Sequence, residues 1–95
     1  MRRTIWSPQA ADDLTEALDY LVERNPQAAA KLAERVLALV DRLADGDLHG
    51  PAQTLRSGEV VHSWPVPPFR LYYQRDETML SIVRHYHQRR RPISK

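Results

Sequence analysis

Apolar residues recur at helical spacing twice in the first half of the chain. Ala10, Leu14, Leu18, Leu21 and Val22 put one apolar stripe on a helix that runs to about residue 23. Leu32, Ala33, Val36, Leu37, Val40, Leu43 and Ala44 put a second stripe on a helix that begins at residue 26. Each stripe is preceded by the same start signal, Ser7-Pro8 and then Asn25-Pro26. The Ser or Asn side chain caps free amides, and proline follows where its missing N–H costs nothing. Asp45-Gly46 stops the second helix, because glycine accepts the positive φ that ends a helix cleanly. The link between the two helices is so short that they must fold back as an antiparallel hairpin with alanine-rich contact faces.

After residue 58 the period changes to two. Residues 60–64, 69–73 and 79–86 read as strands, and residues 4–6 add a short β-favouring run at the start. Residues 47–58 carry Gly50, Pro51 and Gly58 and read as a loop and a candidate binding edge. Pro65-Val66-Pro67-Pro68 interrupts the strand pattern and predicts a sheet edge or a bulge. The expected fold is α+β, in the order β-α-α-β-β-β, with a helical hairpin covering one face of a small, mostly antiparallel sheet. Strict alternation on the last strand divides Leu80, Ile82, Arg84 and Tyr86 from Met79, Ser81, Val83, His85 and His87. Both sets begin apolar and end polar, so the strand should run from the core to an exposed end where residues 84–87 meet solvent.

Size and composition narrow the classes. The 95 residues favour one domain, 1–95. The absence of cysteine excludes disulfides and thiolate metal sites. No run approaches the roughly 20 apolar residues of a membrane span, and the first residues have no signal-peptide core, so a cytoplasmic location is expected. The formal net charge of +2 hides a division. Residues 1–47 hold nine acidic and six basic side chains, a net −3, whereas residues 48–95 hold three and eight, a net +5. A positive C-terminal half suits nucleic acid or an acidic protein segment.

The candidate chemistry lies at the end of the chain. Arg70 and Arg84, if they converge across neighbouring strands, would form a phosphate clamp, since the guanidinium donates paired hydrogen bonds and keeps its charge. His85 or His87 would exchange protons near neutral pH, and Tyr86 would stack on a base or donate a hydrogen bond. Such groups suit metal-free RNA cleavage; solubilising a strand end is the plainer role for them. His49 and His62 lack further ligand types nearby, so neither a metal nor a cofactor is expected. Trp6 and Trp64 are expected in the core.

Taken in order, these pieces resemble the RelE/ParE superfamily of small bacterial toxins from type II toxin–antitoxin pairs. The resemblance rests on Trp6-Ser7-Pro8-Gln9-Ala10-Ala11-Asp12-Asp13-Leu14, on the junction from Tyr20 to Ala29, on Phe69-Arg70-Leu71-Tyr72-Tyr73, and on the closing strand from Ile82 to Arg90. It implies one of two activities. RelE-like members are ribosome-dependent nucleases that cut messenger RNA; ParE-like members poison DNA gyrase without that catalytic set. By position, Arg70 and Arg84 match the RNA-contacting arginines of the nucleases, and His85 or Tyr86 would occupy the neighbourhood of the terminal acid/base group; in the nuclease alternative Arg70, Arg84, His85, Tyr86 and His87 would be the catalytic set. The lysines common in nuclease sites are missing, since only Lys31 and Lys95 occur, and Arg56 stands in their region. That absence and the Arg-x-x-His-x-Arg-Arg-like ending favour the ParE branch, with no catalytic residues and with Arg56, Arg70, Arg84, Arg89 and Arg90 as target contacts. Either branch implies a cognate antitoxin in a hetero-oligomer, wrapped on an exposed sheet edge or the helical hairpin. The target would be gyrase, or ribosome and mRNA in the alternative. A plain nucleic-acid-binding module is the third reading, resting on the +5 half alone.

Overall fold

The computed structural model describes residues 2–87. β1 (Arg3–Trp6) leads into α1 (Pro8–Arg24) and α2 (Pro26–Asp45), followed by β2 (Ala52–Thr54), β3 (Val60–Val66), β4 (Phe69–Arg75) and β5 (Met79–His87). The fold is α+β, as the hydrophobic pattern requires. Ser7 caps α1 by accepting the Ala10 N–H. Asn25 ends α1 and caps α2, accepting the Ala28 N–H at 3.1 Å, so one residue makes the whole turn of the hairpin. Gly46 closes α2 at φ 83°, returning its N–H to Arg42 and Leu43.

The five strands form one sheet in the order β1-β5-β4-β3-β2. All neighbours are antiparallel except β1 and β5, which run parallel. The first and last strands therefore lie side by side. The core fills the space between the hairpin and one sheet face: Leu32, Val36, Leu39, Val40 and Leu43 from α2 meet Val66, Leu71, Tyr73, Leu80 and Ile82. Trp6 and Trp64 pack against this core as expected. The opposite sheet face carries a smaller apolar cluster of Val61 and Tyr72 with Leu55, Val83 and Tyr86 against it. No helix among the described residues is long and apolar enough to cross a membrane.

Three expectations need correction. The segment 47–58 is not all loop, because it contains β2, which pairs with Val60–His62 of β3. Val22 and Leu37 are 52% and 63% exposed, outside the core stripes, while Leu39 is buried in Leu37's place. A helix turns about 100° per residue, so Leu39 joins Val36 and Leu43 on one side and Leu37 does not. Lastly, β3 is not interrupted at Pro65 but runs through it opposite Arg70; the expected sheet edge is there, since β2 stops pairing at His62 and the missing N–H falls on that free edge.

Candidate functional site

The chemistry-bearing end of β5 is sorted by a β-bulge. Tyr72 lies opposite Arg84 and Tyr73 opposite Ile82, so Val83 is an extra residue with no partner on β4. Alternation restarts after it. Leu80 and Ile82 face the helices, and so does His85, which lies opposite Leu71. Val83 and Tyr86 face the other way, with Tyr72. The strict alternation expected from the sequence is thus broken at Val83, and residues beyond it change partners.

Two side chains at the start of α1 hold the bulge. β1 ends at Trp6, which leaves the edge of β5 open from residue 83 onward. The Ser7 hydroxyl donates to the Val83 carbonyl at 2.8 Å while capping its own helix. The Asp13 carboxylate accepts the His85 N–H at 3.0 Å and both Nε and Nη2 of Arg84, at 2.8 and 2.9 Å. The Asp13 side chain is only 8% exposed, so this ion pair is largely withdrawn from water. Side chains thus replace the strand that β5 lacks there. The sequence alone reads Ser7 only as a helix cap and places Asp13 only within the stretch that carries the family resemblance. The signal was present: Asp13 stands three residues after Ala10 and one before Leu14, on the inward side of α1, where a carboxylate needs a cation.

The candidate residues are consequently divided by the sheet. On the open face Arg70 lies directly across from Tyr86 and Tyr72 across from Arg84. The Tyr72 and Tyr86 rings are 6.0 Å apart, and the Arg84 Cζ sits 4.3 Å from the Tyr86 ring centre. Arg70 donates to the Ser63 hydroxyl at 2.7 Å. Both arginines are therefore already engaged by the protein, and the clamp expected from their convergence is replaced by two separate anchorages. On the helix side His85 is 2% exposed and stacks on Phe69 at 4.7 Å, with His87 edge-on to the same ring at 5.4 Å. His85 was expected at a solvent-exposed strand end; the bulge turns it under α1 instead. Arg56 is exposed in the turn between β2 and β3. Arg89 and Arg90 lie outside the described residues.

Electrostatics reinforce this division. Burial pushes the Asp13 carboxyl up, but the Arg84 hydrogen bond, the His85 amide and the nearby positive charge outweigh it, leaving it below its ordinary range. The same hydrogen bond raises the Arg84 guanidinium further. Burial pushes the His85 imidazole down, against a weaker upward pull from Asp13, so the ring is neutral at pH 7. Neither ring nitrogen of His85 has a hydrogen-bond partner among the described residues. Beside the ring a cleft of about 360 Å³ opens between α1 and the ends of β4 and β5. His49 and His62 are used elsewhere: Arg75 holds His49 at 2.8 Å, and His62 Nδ1 is 3.0 Å from the Gly50 carbonyl. Among the described residues no group of three or more His, Asp or Glu side chains could hold a metal ion.

These shifts fix the acid response. A group bound less tightly to protons in the fold than in the unfolded chain stabilises the fold above its unfolded pKa and loses that contribution as pH falls towards its folded pKa. Stability should therefore begin to drop below about pH 6.5 through His85 and drop again below about pH 3.9 through Asp13. Urea unfolding across pH 3–8 checks this, and His85→Phe should remove the upper step only. A wild-type stability unchanged between pH 7 and 5 would contradict the buried neutral ring.

A small α+β domain with arginines and Tyr86 on one sheet face and His85 buried beneath a helical hairpin on the other is the class defined here. Residues 4–92 match the family model described as ParE toxin of type II toxin-antitoxin system, parDE. Toxin RelE2 of Caulobacter vibrioides is 32% identical over 90 residues, covering 95% of this chain and 99% of the relative. The chain belongs to this family of type II toxin–antitoxin toxins. Two solved structures share its fold. The chromosomal ParDE TA system from P. aeruginosa matches with a TM-score of 0.72 at 21% identity, over 92% of this chain and 96% of that one. A YafQ mutant from E. coli matches with a TM-score of 0.65 at 19% identity, over 94% and 96%.

Proposed function

We propose that this toxin is a ParE-like inhibitor of DNA gyrase, acting in the cytoplasm without chemistry of its own and neutralised by a cognate antitoxin. The observation that carries the reading is the separation of the histidines from Arg70, Arg84 and Tyr86 by the sheet. Cleaving RNA requires a phosphate-stabilising cation and a proton carrier within reach of one phosphate. His85 is buried and neutral on the wrong side, and Arg84 is spent on Asp13. What the open face offers is a docking surface of the half-buried Tyr86 flanked by Arg70 and Arg84 and backed by the buried Tyr72. Tyrosine and arginine are the residue types that dominate protein interfaces. The family's pairing with an antitoxin supports the partner assignment.

One observation favours the alternative, a ribosome-dependent endoribonuclease. Tyr86 shares the open face with Arg70, directly opposite, and with Arg84 above its ring. Its hydroxyl would then be the proton carrier, in place of a histidine. Purified protein added to gyrase supercoiling reactions and to programmed ribosomes separates the two. Loss of supercoiling with accumulation of cleaved DNA, and intact message, is the expected result. Supercoiling left intact at excess protein would overturn it, and message cut by the wild type but spared by Tyr86→Phe would establish the nuclease.

A further inference from the structure

We propose that the cleft between α1 and the ends of β4 and β5 is a socket for an arginine side chain carried by an apolar segment of the antitoxin. Its floor is apolar, made by Ala17, Leu21 and Phe69, and Tyr20 lines it as well. Its polar lining is Asp13, already paired with Arg84, together with Glu16, His85 and His87. Glu16 is an exposed carboxylate with no hydrogen bond or ion pair among the described residues, and His85 presents a buried imidazole whose two nitrogens both lack partners.

A buried polar group without a partner is uncommon and costs stability, so such a group facing a cleft points to something that fills it. A neutral imidazole has one accepting and one donating nitrogen. A guanidinium N–H would satisfy the first, and a backbone carbonyl of the incoming segment the second. The planar fork of the same guanidinium would pair with Glu16, while its methylene stem lies on the apolar floor. Charge selects the same occupant. α1 carries Asp12, Asp13, Glu16, Asp19 and Glu23 against Arg24 alone, so this flank is acidic on a chain whose net charge is positive. An acidic or neutral side chain would leave Glu16 unmatched or repelled. The site is also on the opposite side of the sheet from the tyrosine–arginine face, so an antitoxin seated there would leave the target surface to be covered by another part of its chain.

Naming the antitoxin as the source rests on the proposed function, whereas the socket itself can be measured without it. The full chain would be titrated with Ac-Leu-Arg-Leu-NH2 and with the same peptide carrying citrulline, which keeps the shape and removes the charge. The His85 ring nitrogens would be followed by NMR. The arginine peptide should bind at least about tenfold more tightly, the gain expected of a charge-assisted contact, and should shift the His85 ring. Glu16→Gln, at an exposed position, should erase the difference, and His85→Phe should weaken the arginine peptide while an unchanged amide spectrum certifies the fold. Equal affinities, or shifts confined to Arg70 and Tyr86, would overturn the socket. Purified antitoxin should displace the peptide. An antitoxin that binds without displacing it overturns the assignment of the occupant, and one that does not bind at all overturns the parent reading instead.

Discussion

Asp13→Ala is expected to destabilise the fold by about 3–5 kcal/mol, the range for removing one member of a buried, hydrogen-bonded ion pair. Three donors lose their acceptor at once: two N–H groups of Arg84 and the backbone N–H of His85. A domain of this size has about 5–15 kcal/mol in all, so thermal unfolding should move down by more than about 12 °C. The local effect is as diagnostic as the global one. With its clamp gone the bulge relaxes, and hydrogen exchange at the His85 amide should become fast relative to Leu71 and Leu80. Asp13→Asn keeps an acceptor for the amide and should fall between. Combining Asp13→Ala with Arg84→Met should return part of the loss, because no buried cation is stranded, yet not all of it, because the His85 N–H stays unmatched. A thermal shift under about 3 °C for the single variant would mean that the ion pair is not the strand's anchor.

Gly50→Ala should be nearly as costly, about 3 kcal/mol, at the upper end of what overpacking in a filled interior produces. A methyl group there would lie 1.9 Å from the Ser63 carbonyl oxygen and 2.8 Å from its carbon, both backbone atoms with no rotamer to escape through. Gly50 also donates its N–H to the buried Tyr73 hydroxyl at 2.8 Å, and the neighbouring Pro51 carbonyl accepts the Ser63 N–H at 3.2 Å. Moving the loop aside would break both bonds and shift Ser63, the residue that holds Arg70. The expected result is a lower urea midpoint together with impaired action on the target even where the variant remains folded. Full activity with wild-type stability would show that β2 can slide without disturbing Arg70.

How far the sequence could be read depended on how local each feature is. The helices and their ends were legible because Ser7-Pro8, Asn25-Pro26 and Gly46 act on amides and carbonyls within one turn. The choice between Leu37 and Leu39 needed only the helical angle from Val36 and Leu43. β2 was not legible, since Ala52, Gln53 and Thr54 show no alternation and their strand exists only through pairing with β3. Of the candidate site, the residue types were found and their arrangement was not. Val83 looks like any strand valine; its status as an extra residue is imposed by Ser7 and Asp13, 76 and 70 positions away in the chain. The antitoxin-binding toxin family was legible because its signature is an order of pieces along the chain, which does not depend on the bulge.

That one unpaired residue acts as a parity switch for the surface. If the bulge were ironed out with no change of sequence, every side chain from Arg84 onward would trade sides. Arg84 and Tyr86 would turn beneath α1, and His85 and His87 would emerge beside Arg70 as a cation with two proton carriers. Relatives with the same Arg-His-Tyr-His letters can therefore present opposite chemistries, and an aligned histidine column is informative only when Val83 and its clamps, Ser7 and Asp13, are aligned with it.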